Sequence, residues 1–137
     1  MIPTRPARIL VPTDFSESGT NALRYAPGLA RHLGADLTVM YADTFLPPVD
    51  AMASVGGWDE TSVEQLKARA TEQLLSEAES SIDSVLYDAV VRLSTPVGGI
   101  IEQARESRAG LIVMGTHGRS GLRWRLVWFP GHRARGR

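Results

Sequence analysis

At 137 residues and 43% hydrophobic content, the chain has the size of one domain and the material for a single core. Zero cysteines exclude disulfides, thiolate chemistry and Cys-ligated metals; no apolar run reaches membrane-spanning length, and the opening Met1-Ile2-Pro3-Thr4-Arg5-Pro6 lacks a signal peptide's apolar stretch, so a cytoplasmic protein without membrane contact is expected. A net charge of zero hides an asymmetry, because residues 119–137 hold six Arg and no acid, leaving nine basic against fifteen acidic residues before them.

Arg8 to Pro12 reads as a first strand, ending where Asp14 and Ser16 begin a helix whose first N–H groups Ser16 or Ser18 can cap. Ala22, Ala26, Leu29, Ala30 and Leu33 then recur at helical spacing, and Gly34 ends the run. Pro27 inside it removes a hydrogen bond at a cost of about 3 kcal/mol, which predicts a kink but not a break. Leu37 to Tyr41 is the second strand. From Thr44 to Asp59, Pro47-Pro48 and Gly56-Gly57 forbid a regular element; a lid and plain disorder both fit that length, and Phe45 and Trp58 read as packing residues.

Thr61-Ser62-Val63-Glu64 fits a capping box opening a helix that runs to about Ser84. Val63, Leu66, Ala70, Leu74 and Ala78 are expected inward, with Glu64, Lys67, Glu72, Glu77 and Glu79 as a solvated face without catalytic work. Ala89 to Leu93 is the third strand. Thr95-Pro96 starts another helix, with Val97, Ile100, Ile101 and Ala104 as its expected buried stripe.

Leu111 to Met114 is a continuous apolar run, the pattern of a strand buried on both faces, and Gly115 breaks it. The glycines at 115, 118 and 121 allow positive φ angles and close ligand approach, so the segment reads either as a loop that touches a phosphate or as a plain tight turn. The alternation of strands and helices predicts an α/β fold: a single, doubly wound, mostly parallel sheet with helices on both faces. The ligand crevice of such a sheet lies at the carboxyl ends of the strands where their order reverses, which selects the loops after the first and fourth strands.

Three segments carry a family resemblance. Met114 to Leu122, the Pro12-Thr13-Asp14-Phe15-Ser16 turn after Ile9-Leu10-Val11, and Ala35 to Met40 together resemble the universal stress protein family over residues 8 to about 123. The resemblance implies that family's adenine nucleotide alpha hydrolase-like fold and an adenine nucleotide as ligand, with ATP bringing any Mg²⁺ it needs. It implies Pro12, Thr13 and Asp14 near the nucleoside, Ala42 in place of a backbone contact after the second strand, and Met114 against base or ribose. Gly115 and Gly118 would then give N–H groups to the phosphates, with His117 and Arg119 beside them. By its own chemistry, Asp14 can accept from an amino group or a hydroxyl, and it serves equally well as a helix-start carboxylate. His117 stands without a neighbouring nucleophile or acid, and neither His32 nor His132 has metal-ligand spacing, so no catalytic and no metal residues are expected.

The resemblance departs at the end of the chain. In nucleotide-binding members the phosphate motif runs Gly, two residues, Gly, nine residues, then Gly followed by Ser or Thr, and that count from Gly118 arrives at Trp128-Phe129. Neither residue can close over a phosphate, and the family's final helix and strand are expected to be missing. Residues 1–123 then form the universal stress protein-like domain and 124–137 an atypical basic tail. The tail's bias to Arg, Trp, Gly and Pro is what a GC-rich gene gives when read out of frame, and a frameshift near codon 124 is the expectation. That origin accounts for the basic charge, so nucleic-acid binding is not expected. Leu122, Trp124, Leu126 and Trp128 alternate with Arg123, Arg125, Val127 and Phe129 and admit a substitute strand, which is not adopted as an element; without one, the fourth strand would expose an unpaired edge.

The resulting expectation is a stress-response module that binds ATP with low affinity and forms a homodimer as the family commonly does. The alternatives are an interaction protein that binds no nucleotide, favoured by Trp128-Phe129, and a weak ATP hydrolase, for which no general base or cationic clamp is evident.

Overall fold

A computed structural model describes residues 7–44, 60–83, 85–115 and 124–128. Five strands form one sheet in the order β3-β2-β1-β4-β5, with β1 at Arg8–Pro12, β2 at Asp36–Asp43, β3 at Tyr87–Leu93, β4 at Leu111–Gly115 and β5 at Trp124–Trp128. The first three pairings are parallel, aligning Ile9 with Leu37 and Leu111, and Val39 with Ala89. The helices are α1 at Glu17–Leu33, α2 at Glu60–Ser81 and α3 at Pro96–Glu106.

Alternation along each strand divides the core in two. Ile9, Val11, Leu37, Val39, Leu111 and Val113 pack on one face with Ala22, Leu23 and Ala26 of α1 and Leu74 and Ala78 of α2. Leu10, Met40 and Ile112 point to the other face and meet Ala104 of α3. The doubly wound, mostly parallel α/β sheet follows from the apolar runs of β1, β2 and β4, which are buried from both sides.

Ser16 caps α1 by accepting from the Gly19 N–H, and Gly34 closes it in the left-handed region at φ 67°. The helix runs through Pro27 without interruption. Helix α2 begins at Glu60 and ends at Ser81, so Thr61 lies inside its first turn and the helix stops short of Ser84. Ala70, Leu74 and Ala78 are buried as their spacing requires. Thr95 caps α3 by accepting from the Gly98 N–H, with Pro96 in the first turn.

The stripe of α3 differs from expectation. Val97 is 69% and Ile101 38% exposed, while Gly99, Gln103 and Ala104 are buried. Two contacts turn the helix this way. A methyl group on Gly99 would lie 2.8 Å from the Ala42 Cβ, so the glycine face docks on β2. Gln103 Oε1 accepts from Arg92 of β3 at 2.7 Å, which draws that polar residue inward.

The segment Trp124–Trp128 forms a strand, and it runs antiparallel to β4, pairing Gly115 with Trp124 and Leu111 with Trp128. Eight residues separate β4 from β5. A parallel crossover needs a dozen or more, so a connection of that length returns the chain in the opposite direction. The edge of β4 is therefore paired, contrary to the exposed edge that absence of a substitute strand would leave.

Candidate functional site

A cleft of about 190 Å³ opens at the carboxyl ends of β1, β2 and β4, lined by Pro12, Thr13, Asp14, Ser18, Gly19, Met40, Ala42, Pro96, Ile100, Met114 and Gly115. It lies where the strand order reverses, between the chain leaving β1 toward β2 and the chain arriving at β4. Six of the residues expected at a site, Pro12, Thr13, Asp14, Ala42, Met114 and Gly115, border this one space. His117, Gly118 and Arg119 lie outside the described residues, as do Phe45, Trp58 and the rest of the 45–59 loop and His132.

The β1–α1 turn forms the polar side. Thr13 N–H donates to the Met40 carbonyl at 2.9 Å and extends the strand pairing by one residue. Thr13 Oγ1 accepts from the Phe15 N–H at 3.1 Å, and Asp14 Oδ1 accepts from the Ser16 N–H at 2.9 Å and from the Ser16 hydroxyl. Asp14 thus braces the entry to α1 while remaining exposed at the cleft. Phe15 takes φ 66°, rare for a bulky residue, and its ring stacks on Tyr41 at 4.4 Å between centroids. The Tyr41 hydroxyl donates to Asp43 Oδ2 at 2.9 Å. Burial, then that hydrogen bond, then the charges of Asp43 and Asp14 push the Tyr41 phenol up to about 12.

The other walls are neutral and mostly apolar: Met40 and Ala42 from β2, Pro96 and Ile100 from α3, Met114 from β4. Gly115 has a packing role in this arrangement. A methyl group there would stand 2.5 Å from the Ser18 carbonyl carbon, so the strand end lies directly against the first turn of α1. Ser18, Gly19, Met40, Pro96 and Ile100 are the lining residues that the sequence reading missed. Ser18 follows Asp14 by one helical turn, and Pro96 opens the element after β3, whose carboxyl end lies at the same rim; both were readable signals. Among the described residues no group of His, Asp and Glu is placed to hold a metal ion, and no helix is long and apolar enough to cross a membrane.

Neutral walls with a hydroxyl and a carboxylate at one end suit a flat, apolar-faced group with a polar edge. The fold and this crevice define a doubly wound α/β protein with an open cleft at the switch point of its sheet. The model of the universal stress protein family matches residues 7–127, and the chain belongs to that family. It is 31% identical over 121 residues to the universal stress protein MJ0531 of Methanocaldococcus jannaschii, covering 84% of this chain and 67% of the relative. Among solved structures, it is similar to UspA from Lactobacillus plantarum, with TM-score 0.64 and 22% identity over 87% of this chain and 83% of that one. A universal stress protein in complex with cAMP is also similar in fold, with TM-score 0.56 and 22% identity over 85% and 78%.

Proposed function

We propose that the chain is a cytoplasmic stress-response module that binds an adenine nucleotide in the switch-point cleft and catalyses no reaction of its own. The carrying observation is that Pro12, Thr13, Asp14, Ala42, Met114 and Gly115, drawn from three separate strand ends, line one cleft. In this reading Met114 packs on base or ribose, Asp14 accepts from an amino group or hydroxyl, and Gly115, His117, Gly118 and Arg119 serve the phosphates. Any Mg²⁺ arrives with ATP. A fold relative solved with cAMP supports an adenine ligand, and the family supports a homodimer.

Binding of ATP is weak in this reading, because Trp128 and Phe129 stand where the family's closing Gly-Ser pair would. Each missing charge-assisted contact removes about 1.5 to 3 kcal/mol. Calorimetric titration with ATP is expected to give saturable binding weaker than micromolar, and grafting the family's ending onto the chain should tighten it. A micromolar constant for the chain as it stands would overturn the weakening. No heat at millimolar ATP would move the assignment to an interaction protein without nucleotide, the reading that Trp128-Phe129 favours.

A further inference from the structure

Resting on the homodimer reading above, and independent of the nucleotide, we infer that two copies of this chain pair through the outer edge of β3, antiparallel about a two-fold axis at Val90. Each copy then continues the sheet of the other.

β3 ends the strand order, and among the described residues no strand lies on its outer side. Both of its ends meet solvent: Leu86, just before the strand, is 92% exposed, and Leu93, its last residue, 55%. Ser94 N–H donates to the Asp43 carbonyl at the end of β2. Backbone groups alternate in direction along a strand, so Arg92, Val90 and Asp88 also turn theirs toward β2, whereas Ala89 and Val91 turn theirs outward. Those outward groups form a row of donors and acceptors that a second strand can satisfy.

The charges on β3 select the partner and the register. The strand runs from Tyr87 to Leu93 with Val90 at its midpoint, and its two charges, Asp88 and Arg92, stand two residues to either side. In an antiparallel pair centred on Val90, Asp88 of each copy lies opposite Arg92 of the other, at non-hydrogen-bonded positions where side chains approach most closely. The same register exchanges N–H and carbonyl bonds between Ala89 and Val91 and sets the exposed Leu93 against Tyr87. Slipping by two residues sets Asp88 against Val90 or Ser94, and slipping by four sets Asp88 against itself or Arg92 against itself. Like charges directly opposite one another destabilise a strand pair. Charged edge strands deter indiscriminate pairing, and here they leave one self-complementary register open.

Both charges have the surroundings for it. The Asp88 side chain is 75% exposed and touches Arg8 at 3.4 Å, while Arg92 holds Glu102 and Glu106 of α3 at 3.0 and 3.1 Å. Contact across the axis therefore continues an alternation of sign, from Arg8 to Asp88 to Arg92 of the second copy and on to its Glu102.

The chain contains no cysteine, so a single introduced one reports the register without background. Val90→Cys sets two thiols at facing positions, about 4.5 Å apart between Cα atoms and within disulfide range. Asp88→Cys sets them four residues out of step, about 14 Å along the strand and beyond that range. Sedimentation equilibrium of the unmodified chain is expected to show a reversible dimer, micromolar or weaker because one strand pair is a small contact. Under mild oxidation Val90→Cys should give a reducible dimer on denaturing gels, and Asp88→Cys should not. Asp88→Lys turns both attractions into repulsions and should weaken the dimer about tenfold or more. A dimer that Val90→Cys fails to cross-link, that Asp88→Cys cross-links as readily, or that Asp88→Lys leaves as tight would overturn the inference while leaving the homodimer reading intact. A chain that stays monomeric at every concentration would remove both. Should Val90→Cys fail to fold, Asp88→Lys, at a mostly exposed side chain, decides alone.

Discussion

Gly115 at the end of β4 lies so close to Gly19 in α1 that a methyl group on the former would come within 2.8 Å of the backbone nitrogen of the latter. The contact is backbone to backbone, so no side-chain rotation can relieve it. The glycine that reads as a ligand-facing turn is thereby also the seat of the first helix.

Gly115→Ala is expected to destabilise the fold by about 1 to 3 kcal/mol through overpacking. Gly28→Ala should do the reverse by about 0.5 to 1 kcal/mol, because that exposed helical position meets nothing nearer than Arg31 Nη2 at 4.0 Å. Thermal melts followed by circular dichroism should move in opposite directions. Equal melting temperatures for Gly115→Ala and the unmodified chain would remove the packing role.

Tyr41 links ionisation to stability at high pH. Burial and the hydrogen bond to Asp43 push its phenol up to about 12 from the ordinary 10.0, so the folded state holds this proton after the unfolded state has released it. The contribution is complete below pH 10.0 and is lost as pH rises through about 12. Denaturation midpoints of the unmodified chain should therefore fall more steeply across that window than those of Tyr41→Phe. The same substitution should delete the latest phenolate absorbance in a spectrophotometric titration; its persistence would show that another tyrosine supplies it.

Arg92 ties β3 to α3 through Gln103, Glu102 and Glu106 at 2.7 to 3.2 Å. Removing it in Arg92→Ala deprives Gln103, only 8% exposed, of this donor, for an expected loss of about 1 to 3 kcal/mol. The exposed ion pairs add little to that. Hydrogen bonding to Arg92, then its charge, holds the Glu106 carboxyl below its usual range. Its stabilising effect is thus present above the ordinary carboxylate pKa and disappears as pH falls through the depressed folded value. The stability difference between the unmodified chain and Glu106→Gln should vanish in acid; a difference that grew in acid would reverse the assigned sign.

Substitutions can separate the bracing of the α1 entry by Asp14 from the recognition role proposed for it. Asp14→Asn retains an oxygen for the Ser16 N–H, whereas Asp14→Ala removes it, and only the latter should lower stability, by about 1 kcal/mol. Both should weaken nucleoside binding. If Asp14→Asn bound adenosine as well as the unmodified chain, the carboxylate charge would have no part in recognition.

Much of this architecture was legible because its signals are local. Ile9-Leu10-Val11 and Leu111 to Val113 are short apolar runs buried on both sides, Gly34 sits where a left-handed cap is needed, and Thr95-Pro96 marks a helix start unambiguously. The facing of α3 was not legible, since apolarity pointed to Val97 and Ile101 while the docking is decided by the bare surface of Gly99 and by Arg92, both tertiary effects. The direction of β5 escaped for a related reason: alternation permits a strand, but only the eight residues available after Gly115 dictate which way it runs. At the site, Asp14 and Gly115 stand in motifs, whereas Pro96 and Ile100 carry none and reach the cleft only through the docking of α3 on β2.

The reversal of β5 also has a practical consequence. Leu111 is flanked in register by Ile9 on one side and Trp128 on the other, two strand spacings or about 10 Å apart, at the floor of the sheet. The sheet is thus entered and left at neighbouring points opposite the cleft. A bulky group attached at Arg8 or at Trp128 would therefore stand at the end of the sheet away from the cleft.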